Sequence, residues 1–185
     1  MDVTLFGLIS KKDTLKNYKE KIGSDFWKYY HKCLGYLLEN LGRYLAKNNI
    51  QKKDVKIVVE ASKSFKRDSF RSYIVSCQTK PLNPNARFLK RLDVSLINDR
   101  KKGEEPFLVL ADLVANSLFQ CVNDPKSNYG VFETAYINDL RSRFFCSDDE
   151  KIIGYGLKAV HLLEELKLDK KTQVFLQNLK ANSSI

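Results

Sequence analysis

Val55-Lys56-Ile57-Val58-Val59-Glu60 is the stretch on which the fold turns. Four of its six residues are β-branched and apolar, and the run is continuous rather than alternating. That pattern predicts a strand covered on both faces by helices. It closes on a carboxylate, Glu60. In open α/β sheets ligands gather beyond the carboxyl ends of strands, so Glu60 is placed as a site residue would be. A solvated acid at a strand end is the plainer alternative.

Working outward, Ser24 and Asp25 open a helix in which Phe26, Tyr30, Cys33, Leu34, Leu37, Leu38, Leu41 and Leu45 recur at helical spacing, ending near Lys47. Before it, Val3 to Ser10 is short, apolar and partly β-branched, which predicts a buried strand; Thr14 to Lys21 has room for a helical turn. After the central strand, Asp68 can cap a helix carrying Phe70, Tyr73, Ile74 and Cys77, which Pro81 and Pro84 forbid from continuing. Phe88 to Asn98 alternates at Leu92, Val94 and Leu96 and reads as a third strand. Pro106 then suits the first position of a helix reaching Cys121 or Val122.

The order β, α, β, α, β, α predicts an α/β layered domain over residues 1–122, a mixed sheet flanked by helices. Residues 123–185 read as a helical extension packed on that core, with helix-like spacing over Val131–Phe145, Leu157–Leu166 and Thr172–Leu179. Disorder is expected only in Ala181 to Ile185. At 185 residues, 43% hydrophobic, the chain can bury a sizeable core, which excludes a disordered protein.

The formal charge of +10 is concentrated. Between Ser62 and Lys102 stand eleven cations (Lys63, Lys66, Arg67, Arg71, Lys80, Arg87, Lys90, Arg91, Arg100, Lys101, Lys102) against three acids (Asp68, Asp93, Asp99). Such a footprint suits a polyanion, because each cation that neutralises a phosphate releases counterions. A solvated basic face is the alternative.

Cys33, Cys77, Cys121 and Cys146 are dispersed, without the C-x-x-C spacing of a zinc site. All four are expected to be reduced, three of them in the core, in a cytoplasmic protein. His31 and His161 each lie among apolar helical residues, which favours ordinary packing. Met1 to Ser10 carries Asp2 instead of a basic start, unlike a signal peptide, and no run of about 18 uncharged residues could span a membrane.

Asp112 stands within Phe107-Leu108-Val109-Leu110-Ala111-Asp112-Leu113-Val114-Ala115, nearly two turns into its helix. Asp112, Asn116 and Gln120 form one i, i+4 stripe on a helix that is apolar over much of its remaining girth. Such a helix is expected to be buried, its polar stripe lining a cleft, or else to turn the stripe to solvent. Lys63, Lys66 and Arg67 follow Glu60 directly, where cations can hold a scissile phosphate. Asp93 and Asp99 flank the third strand as turn residues beside Arg91 and Arg100, or as further acid ligands.

In these elements, above all Leu110-Ala-Asp-Leu-Val-Ala115 and Val55-Lys-Ile-Val-Val-Glu60, residues 1–122 resemble the domain-of-unknown-function family 3800, whose members are predicted to adopt a ribonuclease-H-like fold. Val3 to Ser10 and Tyr36-Leu-Leu-Glu-Asn-Leu41 match as well; Val109 stands where the family usually has Gln. The resemblance implies a site in which carboxylates gather two Mg²⁺ or Mn²⁺ ions for phosphodiester hydrolysis, with Glu60 as the middle-strand acid and Asp112 as the late-helix acid. Asp99 is the candidate third ligand. The family's opening Asp-Glu-Ser-Gly strand has no counterpart, so its first acid is absent, and an exposed sheet edge is expected that a partner protein or a second copy would cover.

The expectations are therefore of three kinds. One is a metal-dependent nuclease whose cations Lys63, Lys66, Arg67, Arg71, Arg91, Arg100, Lys101 and Lys102 bind DNA or RNA. The second is a degenerate member that binds nucleic acid or a protein without turnover. The third is a scaffold or oligomer whose helical tail, Val131 to Leu179, is an assembly surface. Family members are often linked to mobile elements or to defence against them.

Overall fold

The computed structural model describes residues 2–10, 26–63, 65–123, 131–160, 162–166 and 168–182. The fold is mixed α/β. In chain order its elements are β1 (Gly7–Ile9), α1 (Phe26–Lys47), β2 (Ile57–Glu60), α2 (Arg67–Thr79), β3 (Ile97–Arg100), α3 (Leu108–Val122), α4 (Ala135–Leu140), β4 (Leu157–Ala159) and α5 (Lys170–Gln177), with short 3-10 turns between them. The alternation expected over the first 122 residues is present. The chain divides into two compact units, residues 18–109 and residues 1–17 with 110–185. The boundary drawn at residue 122 thus falls inside one unit.

In the unit of residues 18–109, β2 and β3 pair in parallel: Ile57 opposite Ile97, Val58 opposite Asn98, Val59 opposite Asp99 and Glu60 opposite Arg100. Side chains alternate along a strand, so Ile57, Val59 and Ile97 share one face, and all three are buried. Val58 is only half-buried, so the continuous apolar run is sealed on one face rather than on both. Against the buried face pack Leu38 and Leu45 of α1, Phe70, Ile74 and Cys77 of α2, and Leu89 and Leu92.

The end of α1 is a Schellman motif. Asn49 takes the left-handed conformation (φ 54°), its N–H donates to Ala46 O, and the Ile50 N–H donates to Leu45 O at 2.9 Å. α2 begins at Arg67, with Lys66 in the capping position, so Asp68 is not the cap; it lies in the first turn, within 4.0 Å of Arg71. The expected strand over Phe88–Asn98 is instead a 3-10 helix at Pro84–Arg91, a second at Val94–Leu96, and a strand only from Ile97. Local hydrogen bonds decide this. Asn83 Oδ1 accepts from the Asn85 and Ala86 N–H groups, and Asp93 Oδ1 accepts from the Ser95 N–H, turning the backbone where an extended chain was expected. Asn83 Nδ2 also donates to the buried Glu39 carboxylate at 2.9 Å, which fixes the start of that turn to α1.

In the other unit, β1 pairs in parallel with β4, Gly7 opposite Leu157 and Ile9 opposite Ala159. Leu157–Leu166, expected to be helical, thus contributes a strand followed by a 3-10 turn at Leu163–Leu166. The chain reaches β4 through Gly154 (φ 86°) and through Gly156, where a methyl group would strike the Phe145 carbonyl. Gly7 is less tightly constrained: a Cβ there would meet a terminal methyl of Leu118 on α3, a side-chain end that can shift. Ile9, Leu118, Cys121, Ile137, Phe144, Ile152, Leu157 and Leu176 form the core of this unit. Ala181, expected to be disordered, is buried, and its N–H donates to Glu150 O.

No helix among the described residues is long and apolar enough to cross a membrane. All four cysteines are free; Cys77 and Cys121 are buried, whereas Cys33 and Cys146 are half-exposed, so two rather than three lie in the core. Ser24, Asp25, the turn expected over Thr14–Lys21, and His161 lie outside the described residues.

Candidate nucleic-acid interface

β2 and β3 run the same way and stop in register, so whatever follows each strand leaves from the same end of the pair. Lys63, Lys66 and Arg67 follow β2; Lys101 and Lys102 follow Arg100, the last residue of β3; all six side chains are exposed. Parallel pairing thus brings two cation runs, separated by more than thirty residues of sequence, to one edge. The Ala61 N–H continues the ladder by donating to Arg100 O at 2.8 Å.

Arg71, expected among the nucleic-acid-binding cations, is engaged at the opposite end of β3. Its Nε and Nη2 donate to Ile97 O at 3.1 and 2.6 Å, and Nη2 also donates to Ser95 O at 2.9 Å, which fastens α2 to the start of β3. Arg67 pairs with Asp99 at 3.2 Å and approaches Asp68 at 3.8 Å. Glu104 accepts from the Lys101 N–H at 3.0 Å. Asp68, Asp99 and Glu104 are therefore engaged within the cluster, and the cations remain at its surface beside exposed Glu60.

Beneath the cluster lies His31, 1% exposed, with the rings of Trp27 and Phe70 at 5.1 Å and Phe65 at 5.8 Å. The packing role expected for it is present. In addition its Nε2 accepts the Lys66 N–H at 3.2 Å, tying α1 to the entry of α2. Burial lowers the pKa of His31, in keeping with a neutral ring whose Nε2 is an acceptor. Burial, with the Glu60 carboxylate and the Cys33 thiol as lesser causes, raises the Tyr30 phenol.

The two expected metal-ligand carboxylates of this unit, Glu60 and Asp99, do not converge. Asp99 lies opposite Val59, so it shares the buried face with Ile57 and Val59; Glu60, one residue on, belongs to the opposite face together with Arg100. Asp99 is moreover held by Arg67. A two-metal hydrolytic site needs acids gathered around ions about 4 Å apart. Glu60 and Asp99 do not fit such a pair, and among the described residues no group of three or more His, Cys, Asp or Glu side chains forms a metal site.

Asp112 belongs to the other unit. On α3 the buried residues are Leu108 at its start and, further along, Val114, Ser117, Leu118 and Cys121, while Val109, Leu110, Leu113 and Phe119 are exposed. Beyond its first residue, the helix expected to be buried over most of its girth is therefore buried along one edge. Asp112 and Gln120 are half-buried and Asn116 is exposed, so the polar stripe does not line an enclosed cleft. Ser117, which the stripe omits, is the buried polar residue; its hydroxyl donates to Leu113 O at 2.8 Å and needs no ligand.

Arg91, expected among the nucleic-acid-binding cations, lies apart from the others. It lines a cavity of about 520 Å³ with Lys52, Arg87 and Lys90. Sequence reasoning missed this grouping, although the interleaving of cations and an aromatic in Arg87-Phe88-Leu89-Lys90-Arg91 was visible.

No protein-family model, no curated protein and no solved structure matches this chain.

Proposed function

We propose that this protein binds nucleic acid through the phosphodiester backbone, as a ribonuclease-H-like relative in which the end of the β2–β3 pair serves for binding rather than for metal-dependent cleavage. One observation carries the reading: the parallel register delivers Lys63, Lys66 and Arg67 from one strand, and Arg100, Lys101 and Lys102 from the other, to the same edge. Backbone contacts by Lys and Arg supply sequence-independent affinity. The pleat that sets Glu60 and Asp99 on opposite faces, and the Arg67 pair that engages Asp99, support binding without hydrolysis by this pair of acids. The resemblance to family 3800 supports a nucleic-acid substrate class.

The test is fluorescence anisotropy with labelled single- and double-stranded DNA and RNA at several salt concentrations. It is run on the wild type and on a Lys63→Glu, Lys66→Glu, Lys101→Glu variant, beside a cleavage assay with Mg²⁺ or Mn²⁺. Expected are binding that weakens steeply with salt, a shallower salt slope in the variant, and intact strands. Cleavage abolished by Glu60→Gln or Asp112→Asn would return the protein to the nucleases. Absence of binding at low salt would remove the proposal altogether.

A further inference from the structure

Towards the other end of β2 the chain builds a second basic feature, which the interface above does not use. Lys52, in the turn that precedes β2, and Arg87, Lys90 and Arg91, from the 3-10 helix Pro84–Arg91, line the cavity of about 520 Å³ together with Gln51 and Phe88. The Schellman ending of α1 puts Gln51 and Lys52 there, and the close approach of Gly42 to the Phe88 carbonyl holds the 3-10 helix against α1.

The lining contains four cations and no acid. Asp93 lies outside that lining and already accepts the Ser95 N–H and hydroxyl at 2.9 and 2.7 Å, which, with a lesser pull from the Lys52 charge, holds its carboxyl below the usual range. All four side chains are exposed around an open basin, where an anion carrying several charges is attracted by them together. The hollow also offers a flat surface. The Arg87 guanidinium lies over the Phe88 ring at 5.0 Å and that of Arg43 at 5.5 Å, Arg43 being anchored by Asn85 Oδ1 at 2.7 Å. Guanidinium and phenyl planes are the surfaces on which heteroaromatic rings stack. The volume lies within the range of small-ligand sites.

We infer that this basin binds a nucleoside di- or triphosphate, its phosphates held by Lys52, Lys90 and Arg91 and its base against the Arg87 guanidinium stacked on Phe88. A single phosphodiester brings one charge per nucleotide, whereas a chain of two or three phosphates presents several charges to the adjacent cations at once. The amide of Gln51 can donate to or accept from a base or ribose at the rim.

The experiment is titration of the whole chain with a fluorescent ATP analogue without added metal, with competition by ATP, by inorganic triphosphate and by an oligonucleotide. Saturable binding is expected, displaced by ATP and by triphosphate. Lys52→Glu and Arg87→Glu, both at exposed positions, should each weaken it by about tenfold or more. Lys63→Glu, at the far end, should leave it unchanged, so failure of the nucleic-acid reading and failure of this one are distinguishable. Displacement by the oligonucleotide but not by ATP would overturn the inference in favour of a strand-binding groove. So would indifference of the binding to both charge reversals in variants that keep the wild-type circular dichroism.

Discussion

The Lys66 N–H donates to the Nε2 of buried His31 across 3.2 Å, so one imidazole joins the first helix of its unit to the entry of the second. The bond exists only while Nε2 is unprotonated. Burial holds the pKa of His31 below its ordinary value of 6.5, so the unfolded chain binds this proton more readily than the folded one. The stabilisation is fully present above pH 6.5 and is lost as pH falls from there through the folded-state pKa. Urea unfolding at pH 7.5 and 5.5 should show the loss, and His31→Phe should flatten it. A pH profile identical in wild type and variant would refute the assignment.

Arg71 makes three hydrogen bonds to the Ile97 and Ser95 carbonyls. Arg71→Ala should cost about 2 kcal/mol by urea denaturation, the scale of losing charge-assisted bonds to part-buried acceptors. Arg71→Lys should recover only a fraction, because an ammonium cannot span two carbonyls as a guanidinium does.

Gly42 and Gly103 form a matched pair for testing close packing. A Cβ at Gly42 meets the Phe88 carbonyl, whereas one at Gly103 meets nothing within 4 Å. Gly42→Ala should destabilise by about 1–3 kcal/mol, the usual cost of overpacking. Gly103→Ala should be neutral or mildly stabilising. Equal midpoints for the two variants in denaturant would contradict the α1 contact.

Thiol labelling should separate the cysteines. Cys121 is fully buried, and burial, followed by the charges of Asp169 and Glu133, pushes its thiol up to about 12. Cys77 is buried too, and burial raises its thiol. Under native conditions iodoacetamide should react first at half-exposed Cys146, slowly at Cys33, whose thiol burial also raises, and at Cys77 and Cys121 only after denaturation. Mass spectrometry of peptides from a time course checks the order.

What could be read from sequence was what depends on neighbours in sequence. Within Val55–Glu60, Ile57–Glu60 became β2 because β-branched residues in a short run have few alternatives, and α1 followed its leucines. The failures were non-local or were overruled by one side chain. Leu157, Val160, Leu163 and Leu166 recur every third residue and suggested a helix, but pairing with Gly7–Ile9 claimed Leu157–Ala159 for a strand. Leu92, Val94 and Leu96 alternate like a strand, yet the Asp93 side chain folds their backbone into a turn. The same limit governed the site. Glu60 at a strand end was legible, but which face it shares, and with which acid, depends on a register that no single strand encodes. For α3, an apolar girth overstated burial, since beyond Leu108 the buried residues are confined to the edge of Val114, Ser117, Leu118 and Cys121.

The pairing of β1 with β4 sets a timetable for synthesis. Residues 18–109 are contiguous, so that unit can close as soon as its last strand has left the ribosome. The other unit cannot. Gly7–Ile9 must await Leu157–Ala159, a closure over roughly 150 residues of intervening chain, and such distant pairings form late. During that interval the apolar first strand lacks its partner, and nascent chains arrested before residue 157 should depend on holding chaperones more than those arrested after residue 182.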